Sequence, residues 1–182
     1  MRERRPDDRT AQPASGNPSR EEKMVDIGKI LVLVDFSRNS AEAVRYGLTL
    51  AHSLGARLCF LHTVNQRIMD ALQELSSKGY KGDFLQALRK LMEDRENDLR
   101  EFVSKEELAG VEAEFLIRKG EPVEEVVSAA GEYSIDLIVV GSQGHAASAN
   151  GSVGTVAQDV INRARCPVLV VRPIEHDFIE EP

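Results

Sequence analysis

Gly141, Gly144 and Gly154, with Thr155 directly after the last, stand in the spacing Gly-x2-Gly-x9-Gly-Thr. The apolar run Ile135-Asp136-Leu137-Ile138-Val139-Val140 leads into the first glycine, and Val156-Ala157-Gln158-Asp159-Val160-Ile161-Asn162-Arg163 follows the last. The first stretch reads as a buried strand and the second as a helix, so the glycines occupy a strand-to-helix loop. That geometry can hold phosphate. The N–H groups of a first helical turn have no internal partners, and the helix dipole favours an anion there. Glycine lets the backbone come close to such an anion and adopt positive φ. Each charge-assisted N–H bond contributes roughly 1.5–3 kcal/mol.

Two familiar phosphate sites are excluded. A dinucleotide fingerprint needs its glycines after the first strand, where this chain has Asp35-Phe36-Ser37-Arg38-Asn39-Ser40. A Walker loop needs Gly-Lys-Ser/Thr, which does not occur. With no loop lysine to neutralise phosphate, that work falls to backbone N–H groups, the Thr155 hydroxyl and a bound Mg²⁺.

The elements that must position this loop follow from hydrophobic periodicity. Ile30-Leu31-Val32-Leu33-Val34 is a continuous apolar run, as in a strand buried on both faces. Ser37 to Ser40 carry helix-capping chemistry. Ala41, Val44, Leu48, Ala51 and Leu54 then recur with a helical period that Gly55 ends. Residues 57–64 form the second strand. Ile68, Leu72 and Leu75 suggest a short helix broken near Gly79 and Gly82, and Phe84, Leu88, Leu91, Leu99 and Phe102 a longer one with a charged wet face. Strands over 111–118, 136–140 and 167–171 alternate with helices over 123–133 and 153–163. Pro122 suits the first of these helix starts. Such alternation predicts an α/β fold, a parallel sheet with helices on both faces. It binds ligand outside the carboxyl ends of its strands, where strand order reverses. Asp35 and Gly141 end the first and fourth strands, and share that crevice if those strands are neighbours.

Bulk properties narrow the function. A chain of 182 residues fits one domain with tails. The apolar runs are too short for a membrane span, and no apolar secretory segment follows the basic start. A net charge of −7 argues against general binding to nucleic acid or anionic membrane. Residues 1–27 hold six basic and six acidic residues and little to bury, so they read as a disordered tail. Residues 174–182 read as a flexible end. Cys59 and Cys166 have no metal or redox spacing and read as small buried hydrophobes in a reducing cytoplasm.

Four blocks in order resemble the universal stress protein family. They are Val34-Asp35-Phe36-Ser37, Gly120-Glu121-Pro122, Asp136 through Gly144, and Ala164-Arg165-Cys166-Pro167-Val168-Leu169-Val170-Val171. The resemblance spans about residues 28–173 and includes the glycine spacing, which is the family's ATP-binding signature. It implies a five-stranded parallel sheet of order 3-2-1-4-5, adenine nucleotide alpha hydrolase-like, and ATP binding in a subset of members. Carried over by position, Asp35 reaches the ribose or adenine edge, Thr63 offers backbone groups to adenine, and Val140 lines the base pocket. Gly141, Gly144, Gly154, Thr155 and Val156 hold ribose and phosphates. The family also implies homodimers paired through the last strand, here Val168–Val171, whose edge is otherwise an apolar liability.

The chain departs from the family at His145, commonly Arg or Lys, and at Asn150-Gly151-Ser152, commonly leucine-rich. The loop therefore lacks a fixed positive charge. His62, at a strand end, reads as a satisfied structural histidine. His145 reads equally as a phosphate neighbour and as a solvated loop residue. Asp35 reads either as a ligand contact or as a cap on the first helix. No nucleophile–base pair or metal-ligand cluster stands out. The expectation is a cytoplasmic, ATP-binding stress regulator, not an enzyme beyond slow ATP hydrolysis. An ATP-blind interaction module of the same fold and a weak ATP hydrolase are the alternatives.

Overall fold

The computed structural model describes residues 25–78, 84–104, 108, 110–144 and 152–173. Five strands form one parallel sheet: β1 (Lys29–Leu33), β2 (Arg57–Val64), β3 (Ala113–Lys119), β4 (Leu137–Gly141) and β5 (Val168–Val171). Their order is β3-β2-β1-β4-β5, as the family resemblance implies. The helices among the described residues are α1 (Arg38–Leu54), α2 (Gln66–Ser77), α3 (Phe84–Ser104), α4 (Pro122–Glu132) and α5 (Thr155–Arg163).

Alternation of side chains across the sheet creates two cores. On one face Ile30, Val32, Val34, Phe60 and Val139 pack beneath Val44 and Leu48 of α1 and Leu99 and Val103 of α3. On the other, Leu31, Leu33, Leu61, Ile138 and Val140 pack beneath Val126 and Ala129 of α4 and Ala157 and Val160 of α5. This double burial is why β1 carries apolar residues without interruption. Helix α2 packs on α3.

Local chemistry sets the element ends. The Ser37 side chain accepts from Ser40 N–H at 3.2 Å, which starts α1 at Arg38, ahead of the first periodic apolar residue. Gly55 closes α1 at φ 66°, a left-handed position that suits glycine. Strand β4 begins at Leu137, one residue later than expected. Asp136 instead turns its Oδ2 to accept from Gly28 and Lys29 N–H, both at 2.9 Å, which pins the start of β1. Helix α5 begins at Thr155 with Gly154 as its cap residue, two positions after the expected Val153, which packs against the α4–α5 core. Cys59 is buried as expected, Cys166 is only half-buried, and both thiols are free. The tail residues 1–24 and 174–182, Gly79, Gly82, His145, Asn150 and Gly151 lie outside the described residues.

Helix α1 approaches the end of β4 so closely that no side chain fits between them. A Cβ on Gly141 would stand 2.9 Å from the Asn39 backbone. Gly141→Ala therefore forces α1 away from the sheet. The expected cost is about 1–3 kcal/mol in urea unfolding, the range typical of overpacking. Unchanged stability would show that this contact is soft.

Candidate functional site: a glycine-walled crevice

Strands β1 and β4 are neighbours. The chain leaves β1 into α1 on one face and leaves β4 into α5 on the other. Their carboxyl ends therefore lie side by side where strand order reverses, the position at which an open parallel sheet forms a ligand crevice.

Its walls are made of backbone. Ser142 is buried just past β4, and its N–H donates to the Val171 carbonyl at 2.6 Å. Its carbonyl accepts from Gly154 N–H at 2.7 Å. The start of α5 is thereby bonded to the exit of β4. A Cβ at Gly154 would lie 3.4 Å from the Ser142 carbonyl oxygen and 3.5 Å from Gln143 Cα, so the two chain segments nearly touch. Gln143 Nε2–H adds a bond to the Ser152 carbonyl at 2.7 Å. The first intrahelical bond of α5 runs from Gln158 N–H to the Gly154 carbonyl at 3.0 Å. The N–H groups of Thr155, Val156 and Ala157 precede it, and Gly154 provides no side-chain cap.

Asp35 forms the facing wall. Its Oδ1 accepts from Ser37 N–H at 3.0 Å. The α1 cap is Ser37, and Asp35 bonds the backbone of that cap residue. A Cβ at Gly144 would stand 2.6 Å from Asp35 Oδ2, so glycine is what leaves room for the carboxylate. Phe36, next in the chain, sits at φ 64°. A bulky residue in that left-handed region costs about 1–3 kcal/mol and stays only where packing holds it.

The eight sequence-derived positions fall at this carboxyl edge in different ways. The β1–β2 register pairs Leu33 with Leu61 and continues through Val34 N–H to the Leu61 carbonyl at 2.8 Å, which carries Asp35 alongside Thr63. Thr63 is half-buried in β2. Val140 is buried in the α4–α5 core beneath the crevice. Gly141 faces α1, so its lack of a side chain is already explained by packing. Gly144 and Thr155 are exposed, and Gly154 and Val156 half-buried.

Further residues outside the eight positions join the site. Asn39 is buried beside Gly141, and its Oδ1 has no hydrogen-bond partner. His62 is satisfied as expected, its Nδ1 lying 2.9 Å from the Val34 carbonyl. Its ring also meets the Phe36 ring at 4.5 Å in a tilted arrangement, which no local sequence signal announces. A separate cavity of about 650 Å³ lies on the α3 face, lined by Leu88, Arg89, Met92, Ile117, Lys119 and Glu125. Its rim mixes charges of both signs, and none of the eight positions lines it.

Known proteins share this fold. The profile of the Universal stress protein family matches residues 26–172. Universal stress protein YxiE of Bacillus subtilis is 31% identical over 147 residues, covering 79% of this chain and 98% of its own. Universal stress protein MJ0577 of Methanocaldococcus jannaschii is 28% identical over 152 residues, covering 79% of this chain and 94% of its own. The solved structure of MJ0577 superposes with a TM-score of 0.69, at 26% identity, over 83% of this chain and 99% of that one. A universal stress protein solved in complex with cAMP shares the fold, with a TM-score of 0.55 at 22% identity over 81% of this chain and 98% of that one. With the profile running from the start of β1 through β5, and with a 31% identical relative matched over 98% of its own length, this chain belongs to the universal stress protein family.

Proposed function

We propose that the chain binds ATP in the β1–β4 crevice and acts as a nucleotide-dependent regulator in the stress response. The observation that carries this reading is the open first turn of α5, bonded through Gly154 to the Gly141–Gly144 loop and facing Asp35 across Gly144. Backbone donors held in place by the fold cost no reorganisation when an anion arrives, and the α5 dipole adds to their pull. In this reading Thr155 and Val156 amides and the Thr155 hydroxyl take phosphate. Gly144 and Gly154 allow its close approach, and Gly141 lends its backbone to the ribose side. Asp35 takes a ribose hydroxyl or the adenine edge, Thr63 presents backbone groups to the base, and Val140 forms its apolar floor. A solved cAMP complex on the same fold shows an adenine nucleotide accommodated by that other protein.

No cluster of His, Cys, Asp or Glu suited to a metal ion occurs among the described residues. Mg²⁺ therefore enters this reading on the phosphates, where it offsets their charge beside the Asp35 carboxylate. A regulatory role suits such a site, because a nucleotide shifts a conformational equilibrium only by its differential affinity for the two states. The remaining parts of the reading are a folded unit over 28–173 between two tails, a cytoplasmic setting, and a homodimer through β5. Strand β5 stands at the sheet edge, and Ile161 on the adjacent α5 is 48% exposed, which supports a partner there. No helix among the described residues is long and apolar enough to cross a membrane.

Thermal unfolding tests the reading. ATP with Mg²⁺ at about 100 times its dissociation constant is expected to add about 2.7 kcal/mol of stability. Gly144→Val is expected to fold and to lose that gain, since its side chain displaces only the Asp35 carboxylate tip and fills the approach to phosphate. No upward shift with millimolar ATP would favour an ATP-blind interaction module. Equal binding by both proteins in calorimetry would remove Gly144 from the site.

A further inference from the structure

We propose that His62 is a positioning residue for the crevice: its ring holds Phe36, and through it Asp35, so that protonating the ring loosens Asp35 from Gly144 and weakens nucleotide binding. The consequence for binding rests on the nucleotide reading above, whereas the coupling between His62 and Gly144 does not.

Three contacts connect the ring to the crevice. His62 Nδ1 lies 2.9 Å from the Val34 carbonyl, so this nitrogen carries the hydrogen and the neutral ring leaves Nε2 as an acceptor. The His62 and Phe36 rings are 4.5 Å apart and tilted by 48°. Phe36 in turn meets Phe102 of α3 edge-on at 5.5 Å. Phe36 is thus clamped between β2 and α3 while its backbone stays at φ 64°, a conformation it keeps only under such constraint. Asp35 immediately precedes it, and the backbone at Phe36 sets where the Asp35 carboxylate points. That carboxylate occupies the space a Cβ at Gly144 would fill. His62, Phe36, Asp35 and Gly144 form one mechanical series from the α3 face to the crevice.

The surroundings favour the neutral ring. Burial pushes His62 below its ordinary value of 6.5, and Arg95 of α3 pushes it the same way. The Val34 carbonyl and the carboxylates of Asp35 and Asp98 oppose that shift without overcoming it. β3 places only Ile117 opposite His62 in the sheet register. A proton on Nε2 would put charge in a partly buried position beside the Phe36 ring and near Arg95. It would also draw the Asp35 carboxylate toward the imidazolium and away from Gly144. The sign follows by linkage. The folded protein takes up this proton less readily than the unfolded chain. The stability tied to the neutral ring is therefore complete above 6.5 and declines as pH falls from there through the lower folded-state value.

The test uses the full chain without ligand. Two-dimensional NMR follows the His62 ring and the Gly144 amide from about pH 8 to about pH 5. The Gly144 amide is expected to shift with the midpoint of the His62 ring and to lose that transition in His62→Gln. Calorimetry with ATP and Mg²⁺ then compares both proteins at the two ends of the range. Wild-type affinity is expected to fall at least about threefold more than that of His62→Gln, a ratio that cancels the titration of ATP itself. A Gly144 amide that stays constant while His62 titrates would overturn the proposal, with or without a foldable variant. So would equal loss of affinity in both proteins. If Gly144 follows His62 but ATP binds at neither pH, the coupling stands and the nucleotide reading is what fails.

Discussion

The Ser142 backbone is the joint on which the candidate site depends. Its N–H is bonded to Val171 and its carbonyl to Gly154 N–H. One buried residue thereby fixes the end of β4 to β5 on one side and to the start of α5 on the other. Neither bond uses a side chain, so the joint is insensitive to the identity of residue 142 and demanding of its neighbours. Gly154 must let α5 come within van der Waals distance of the loop, and Gly141 must let α1 settle against β4. The open amides of α5 are oriented by this joint, and their orientation is what gives the loop a chemical meaning.

Asp35 adds the second half of the geometry at a cost. Its carboxylate sets a negative charge beside Gly144, and the sequence has no Gly-Lys-Ser/Thr to offset it. In the proposed nucleotide reading, the polar edge of the nucleoside lies near Asp35 and the phosphates lie further along, toward α5. Phe36 in a left-handed conformation shows that the β1–α1 turn is held rather than relaxed. Packing from β2 and α3 supplies the hold. The face of the sheet opposite α5 therefore contributes to a site that it does not line.

Much of this was legible in the sequence. The unbroken apolar run at 30–34 announced a strand buried on both faces, and Gly55 announced the end of α1. The four ordered blocks indicated the family, and with it a strand order that local periodicity could not supply. What was not legible depends on contacts distant in the chain. Val153 continues an apolar helical period but belongs to the loop side of Gly154, because the bond to Ser142 fixes where α5 starts. Asp136 looks like the first residue of β4, yet its side chain is taken by the backbone of β1. Gly141 shows in the sequence only as a loop glycine, and that Asn39 of α1 packs against it depends on a contact distant in the chain. Cys166 was expected to be buried and is half-exposed, since the turn before β5 runs over the surface. Phe36 carries no sequence sign of its positive φ.

The most direct measurement of the central claim is an amide chemical-shift titration of the full chain with ATP and Mg²⁺. The backbone-donor account predicts that the Gly144, Thr155, Val156 and Ala157 amides move most. Shifts that leave these amides unmoved and gather instead around the α3 cavity at Met92 and Ile117 would contradict it.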